Sequence, residues 1–163
     1  MAPAAAAAQP TQPQAPATVI TTDFVTFTVA GQLFGIPVMQ VQDILVPGRI
    51  APVPLAPPEV RGAINLRGRI VTVIDMHRRL GLPDGSGASS DAMGVTVECG
   101  RELYTLLVDS VSDVIGLPAH LREPNPTTLE RLWLEFADGV FALPDELMVV
   151  LDAERLLRIR HHG

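Results

Sequence analysis

The run VTFTV (residues 25–29) alternates apolar and polar side chains, passes through Ala30-Gly31 and resumes as QLFGIPV; VTVEC (residues 95–99) passes through Gly100-Arg101 into ELYTLLV in the same way. A period of two interrupted by turn residues predicts a β-hairpin at each place. IVTVID and LMVVLD are short and continuously aliphatic, which predicts strands buried on both faces. Each run ends at an aspartate, Asp75 or Asp152, ahead of MHRRLG or AERLLRI. An Asp in that position accepts from the free amides at the start of a helix, so a short helix is expected after each strand. Gly81 and Pro83 end the first of them.

The pattern is a duplication. Shifted by 70 positions, residues 25–44 lie without gaps over 95–114, with Val25, Thr26, Leu33, Val38, Val41 and Asp43 meeting identical residues. Shifted by 77, residues 62–80 lie over 139–157, and Gly62, Leu66, Val73, Asp75, Arg78 and Leu80 recur. Two segments matching in the same order point to an internal repeat. Each half reads as about five strands and one short helix, a size suited to a small closed barrel because closure removes exposed edges. The expected architecture is mainly β: two five-stranded barrels with short helices, subdomain 1 near 23–83 and subdomain 2 near 92–159. The Gly/Ser-rich stretch 83–93 is the expected flexible connection, and the Pro-rich 52–60 a stiff surface loop. Residues 1–22 begin with an Ala/Pro/Gln-rich stretch that has almost nothing to bury and are expected to form a disordered tail.

Composition narrows the function. A net charge of -6 with seven aromatic residues argues against nucleic acid. All twelve basic residues are Arg, which excludes a P-loop lysine and a Schiff-base lysine. One cysteine allows no internal disulfide, no apolar run approaches a membrane span, and the first basic residue is Arg49; a cytoplasmic protein is expected. The four histidines show no metal-ligand spacing, and the chain holds no HExxH, CxxC or GxSxG. His77 lies where the duplicate has Glu154 and reads as a solvated helix position; Cys99 lies where the other half has Val29 and reads as a small buried hydrophobe. No catalytic residue, metal site or cofactor is expected, and a binding module is favoured over an enzyme.

Residues the fold needs should recur in both halves, whereas residues used for a partner need appear once. Gly62 recurs as Gly139 and the Asp75/Arg78 pair as Asp152/Arg155, so these belong to the scaffold. Arg61, Asn65, Arg67, Gly68 and Arg69 instead face Asp138, Ala142, Pro144, Asp145 and Glu146. One half is basic where the other is acidic, although Arg67 ahead of Gly68 also reads as a solvated turn residue.

FGIPVMQVQDIL, VRGAINLRGRIVTVIDMHRRLGLP and LLVDSVSDVI together resemble the CheW family of chemotaxis coupling proteins, and the likeness runs from about Asp23 to Ile159. The resemblance implies two SH3-like five-stranded barrels and a non-enzymatic adaptor, without cofactor, that joins the cytoplasmic tips of chemoreceptors to a CheA histidine kinase through the kinase's own CheW-like domain. It implies partner contacts at Val41, Asp43 and Arg67, with Arg67 in the NLRG turn the foremost; Arg61 and Asn65 join them as candidates because the second half does not repeat them. Asp43 departs from the Glu usual in the family. A groove between the barrels would accept a receptor helical hairpin, with Ile36, Val38 and Val111 as candidates that could equally be core. Two other readings stay open: a coupling protein for a non-flagellar output such as twitching motility, and a small-ligand-binding or enzymatic β-barrel. An open pocket holding a perturbed carboxylate or His77 would favour the last, and two filled barrel interiors would end it.

Overall fold

The computed structural model of the chain describes residues 19–83 and 92–158; the expected connector lies mostly outside them, as does the expected tail up to residue 18, whereas Thr21 and Thr22, assigned to that tail, belong to the first strand and pair with Pro118 and Leu117. Ten strands run in chain order: β1 (Thr21–Val29), β2 (Gln32–Pro37), β3 (Val41–Leu45), β4 (Val60–Leu66), β5 (Arg69–Asp75), β6 (Met93–Cys99), β7 (Glu102–Val108), β8 (Ser110–Pro118), β9 (Ala137–Ala142) and β10 (Leu147–Leu151). Two short helices, α1 (Met76–Arg79) and α2 (Ala153–Leu156), follow β5 and β10. Each repeat therefore holds five strands and one helix. Both helices start as predicted: Asp75 accepts from the Arg78 amide at 3.3 Å, and Asp152 from the Arg155 amide at 3.2 Å.

The sheets do not follow the repeat boundary. One has the order β8-β1-β2-β10-β9 and the other β3-β6-β7-β5-β4. The first takes β1 and β2 from the first repeat and three strands from the second; the other takes β6 and β7 from the second repeat and three strands from the first. The divisions 23–83 and 92–159 trace the duplication, while the sheets cross it. Equivalent strands occupy equivalent places, so the chain resembles a swapped dimer made from one polypeptide. In each sheet the two end strands are linked by a single bridge from the loop after the first of them, Ala51 to Ala63 and Glu123 to Val140. The repeated glycines stand beside these bridges. A Cβ on Gly62 would fall on the Ala51 carbonyl oxygen, and one on Gly139 would come within 2.8 Å of the Glu123 oxygen.

Three apolar cores result. The first sheet closes over Phe24, Leu33, Phe141, Met148 and Val150. The second closes over the smaller set Ile64, Val71, Val73 and Leu107. The volumes are balanced locally. Gly35 makes room for Met148, whose Sδ would lie 2.8 Å from an added Cβ, and Gly94, the counterpart of Phe24, makes room for Thr105. Both interiors are filled by side chains, which removes the support for a ligand-binding barrel.

The largest core lies between the sheets and includes Phe27, Phe34, Ile36, Ile74, Val97, Leu106, Trp133, Phe136 and Leu156. Ile36 has no accessible surface, so this expected groove residue belongs to the core. Its position opposite Val25 in the β1–β2 ladder turns it inward. The two helices meet here. Arg79 of α1 is buried, donates from Nε to the Leu156 carbonyl at 2.6 Å and sits 4.7 Å above the Phe136 ring. Its charge thus caps the carbonyl end of α2. Trp133 donates from Nε1 to the Leu80 carbonyl at 2.9 Å, closing the other side.

Candidate functional site

β3 and β4 are the two ends of the second sheet, and the β4–β5 turn stands at the seam between them. Leu66 pairs with Arg69, leaving Arg67-Gly68 as a two-residue loop with φ of +52° and +85°. Positive φ at both central positions is the turn that matches the twist of a hairpin, and it favours Asn-Gly. An arginine in the left-handed region costs about 1–2 kcal/mol relative to the right-handed one. Asn65 supports the turn, its Oδ1 accepting from the Gly68 amide at 2.9 Å.

From this turn Arg67 reaches across the seam, placing Nη2 3.0 Å from Oδ2 of Asp43 on β3. Asp43 also accepts the Ile44 amide at 2.9 Å, which orients its carboxylate. The Arg67 side chain remains 77% exposed, so its remaining guanidinium donors face solvent. Val41 is half-buried at the start of β3 and packs on the main core. Ile70, beside the turn on β5, and Ile44 and Val46, beside and beyond Asp43, are exposed. Charged donors beside exposed aliphatics make up the surface from which protein interfaces are built.

The other candidates separate by their partners. Arg61 donates from Nη1 to Asp75 Oδ2 at 3.1 Å, so its charge is engaged by the helix cap. Val38 lies in the 3-10 turn Val38–Gln40 and Val111 at the start of β8; both are half-buried. Met39 and Val114, close to them in sequence, are exposed apolar residues that pattern reading passed over. Like Ile70, they are aliphatic where strand alternation or a loop would favour a polar residue, and that was the available signal. His77 is buried rather than solvated, held by Asp109 and Pro83. Cys99 is half-buried against the main core, and burial, with Glu154, Asp152 and Glu102 nearby, pushes its thiol up, away from a reactive thiolate. Among the described residues no three His, Cys, Asp or Glu side chains gather to hold a metal ion, and no helix is long and apolar enough to cross a membrane.

Comparison with known proteins points to one family. The model of the CheW-like domain family matches residues 23–161. A chemotaxis protein CheW of Klebsiella aerogenes is 29% identical over 135 residues, covering 83% of this chain and 81% of the relative. One from Treponema pallidum is 28% identical, covering 81% and 79%. The crystal structure of the scaffolding protein TtCheW from Thermoanaerobacter tengcongensis is 27% identical, with a TM-score of 0.78 over 87% of this chain and 96% of that one.

Proposed function

The chain belongs to the CheW-like domain family and is a chemotaxis coupling scaffold, and on that premise we propose how it engages its partners. The Asp43–Arg67 face takes the CheW-like regulatory domain of a CheA-type histidine kinase. Val41 and Asn65 support that face. The aliphatic surface around Val38 and Val111, extended by Met39 and Val114, takes the helical hairpin at the cytoplasmic tip of a chemoreceptor. Coupling arises because one rigid body holds kinase and receptor at once and sets their geometry, which places the protein in the cytoplasm at receptor arrays.

One observation carries this reading: an exposed arginine is kept in an unfavourable backbone conformation and aimed across the seam. Strain held at an exposed charged residue favours a recognition role over a structural one. The equivalent seam of the first sheet has Asp113 and Pro144, which leaves that carboxylate without this guanidinium.

Arg67→Ala should leave folding intact and weaken assembly by about 2 kcal/mol or more if Arg67 anchors the contact. Calorimetry against the kinase domain and the receptor tip measures it; equal affinities for variant and wild type would sink the assignment. Reconstitution with receptor and CheA should place kinase activity under receptor control, and control unchanged by adding the protein would count against coupling.

A further inference from the structure

His77 and Asp109 have no counterparts in the duplicate, where the equivalent positions hold Glu154 and Met39. Glu154 is exposed and pairs with Arg158 at 3.6 Å, so the fold itself asks for no buried histidine there. His77 is nonetheless buried. Its Nε2 lies 2.8 Å from Asp109 Oδ1, in the turn between β7 and β8, and its Nδ1 lies 3.2 Å from the Pro83 carbonyl oxygen, where the chain leaves the first repeat.

Both of those atoms are acceptors. A neutral imidazole carries one N–H and could satisfy one of them, turning a lone pair toward the other; an imidazolium satisfies both. We propose that His77 is a proton-operated latch between the repeats: as an imidazolium it ties Pro83 to the β7–β8 turn, and as a neutral ring it keeps Asp109 and releases Pro83.

The surroundings of the ring favour this assignment. Asp109 is itself fixed, its Oδ2 accepting the Ala30 amide at 2.7 Å in the β1–β2 turn and its own amide donating to the Thr28 carbonyl at 3.0 Å. The latch thus reaches α1, the end of the first repeat, and two turns at the junction of the sheets. From the end of β5, Asp75 adds a second negative charge, itself paired with Arg61 at 3.1 Å and with Arg78 at 3.9 Å. The flanking cations face other partners: Arg78 donates to the Pro58 carbonyl and Arg79 to the Leu156 carbonyl. Burial by itself would lower the pKa of His77, but the Asp109 hydrogen bond and charge, the Pro83 carbonyl and Asp75 outweigh it and leave the value raised. The Asp109 side chain is 43% exposed, which leaves the proton a route to water. On deprotonation the Nε2–H stays on the carboxylate, the stronger acceptor, and the contact to the neutral Pro83 carbonyl is the one lost.

The test is a pH titration of the intact, isotope-labelled chain by NMR, reading the His77 ring nitrogens and the Pro83 carbonyl carbon, with His77→Gln to assign the signals. More than half of the rings should carry both protons at pH 6.5, with a midpoint above the roughly 6.5 of a free imidazole, and the Pro83 carbonyl shift should move with that same midpoint. Asp109→Asn should lower the midpoint, because burial is then left without its compensating charge. A ring already neutral at pH 6.5, or a Pro83 carbonyl that does not follow the ring, overturns the latch; both readings come from the wild type and do not depend on the variant folding.

Discussion

The two barrel seams are built from equivalent strands, yet they are closed by opposite chemistry. In the second sheet Arg67 crosses from the β4–β5 turn to Asp43, and Arg61 supports the α1 cap at Asp75. In the first sheet the counterpart of Arg61 is Asp138, which draws Arg122 to 3.2 Å and Arg155 to 3.7 Å, and the counterpart of Arg67 is Pro144. The helix-cap charge is thus balanced in both halves, by an added cation in one and by a three-residue cluster in the other. Each seam is crossed by an arginine, but from different places: Arg67 stands on the β4–β5 turn, whereas Arg122 reaches Asp138 on β9 from the loop after β8, and the turn cation exists in one half alone. Charge near a cap is therefore a scaffold requirement that two residue sets can meet, whereas the Arg67 bridge is a property of one face.

Breaking the shared part should cost most. Gly62→Val puts a side chain onto the Ala51 carbonyl and Ile50, and should lower stability by about 3 kcal/mol or more; an unchanged urea midpoint would contradict the role given to the bridge. Gly139→Val should damage the first sheet less, because part of its clash is with the flexible Arg122 side chain.

Next comes the contrast between the arginines. Arg61→Ala strips a donor from a carboxylate that is 8% exposed, and should cost about 1.5 kcal/mol of stability while leaving kinase affinity close to wild type. Chemical denaturation and calorimetry on the same variant read both quantities, and a stable variant with lost affinity would reverse the assignment. Arg67→Asn is the converse test. Asn suits the left-handed position, and the exposed ion pair it removes is worth under about 1 kcal/mol, so stability should hold or rise slightly while affinity falls. A clear loss of stability would mean that the seam depends on the ion pair.

The smallest effect is on pH dependence. The folded pKa of His77 lies above its unfolded value, so its contribution to stability is complete below the unfolded value near 6.5 and declines as pH rises through the folded one. Wild type should lose stability relative to His77→Gln on moving to alkaline pH; parallel pH profiles would remove His77 from the balance.

Much of this was legible in the chain. Alternation located the hairpins, the aspartates located both helix starts, and recurrence of Gly62 as Gly139 marked the position that a Cβ would block. These signals are local, each set by a few neighbouring residues and the backbone they require. The NLRG turn was legible as a motif, but its bridge to Asp43 was not, because 24 positions separate the two in sequence and only the sheet order makes β3 and β4 share a seam. Ile36 read equally as groove and core for the same reason.

By itself, then, the sequence determined the repeat, the elements within each copy, their caps and turns, and which positions the copies do not share. The tertiary structure decided which hairpin joins which sheet. Both hairpins carry the same alternating pattern, so local preference cannot choose between pairing with their own repeat and pairing with the other; long-range packing makes that choice. It also sent His77 inward to Asp109, committed Arg61 to the cap and set Arg67 across the seam on Asp43 with most of its side chain exposed, since burial and charge pairing depend on neighbours that the fold brings together from distant parts of the chain.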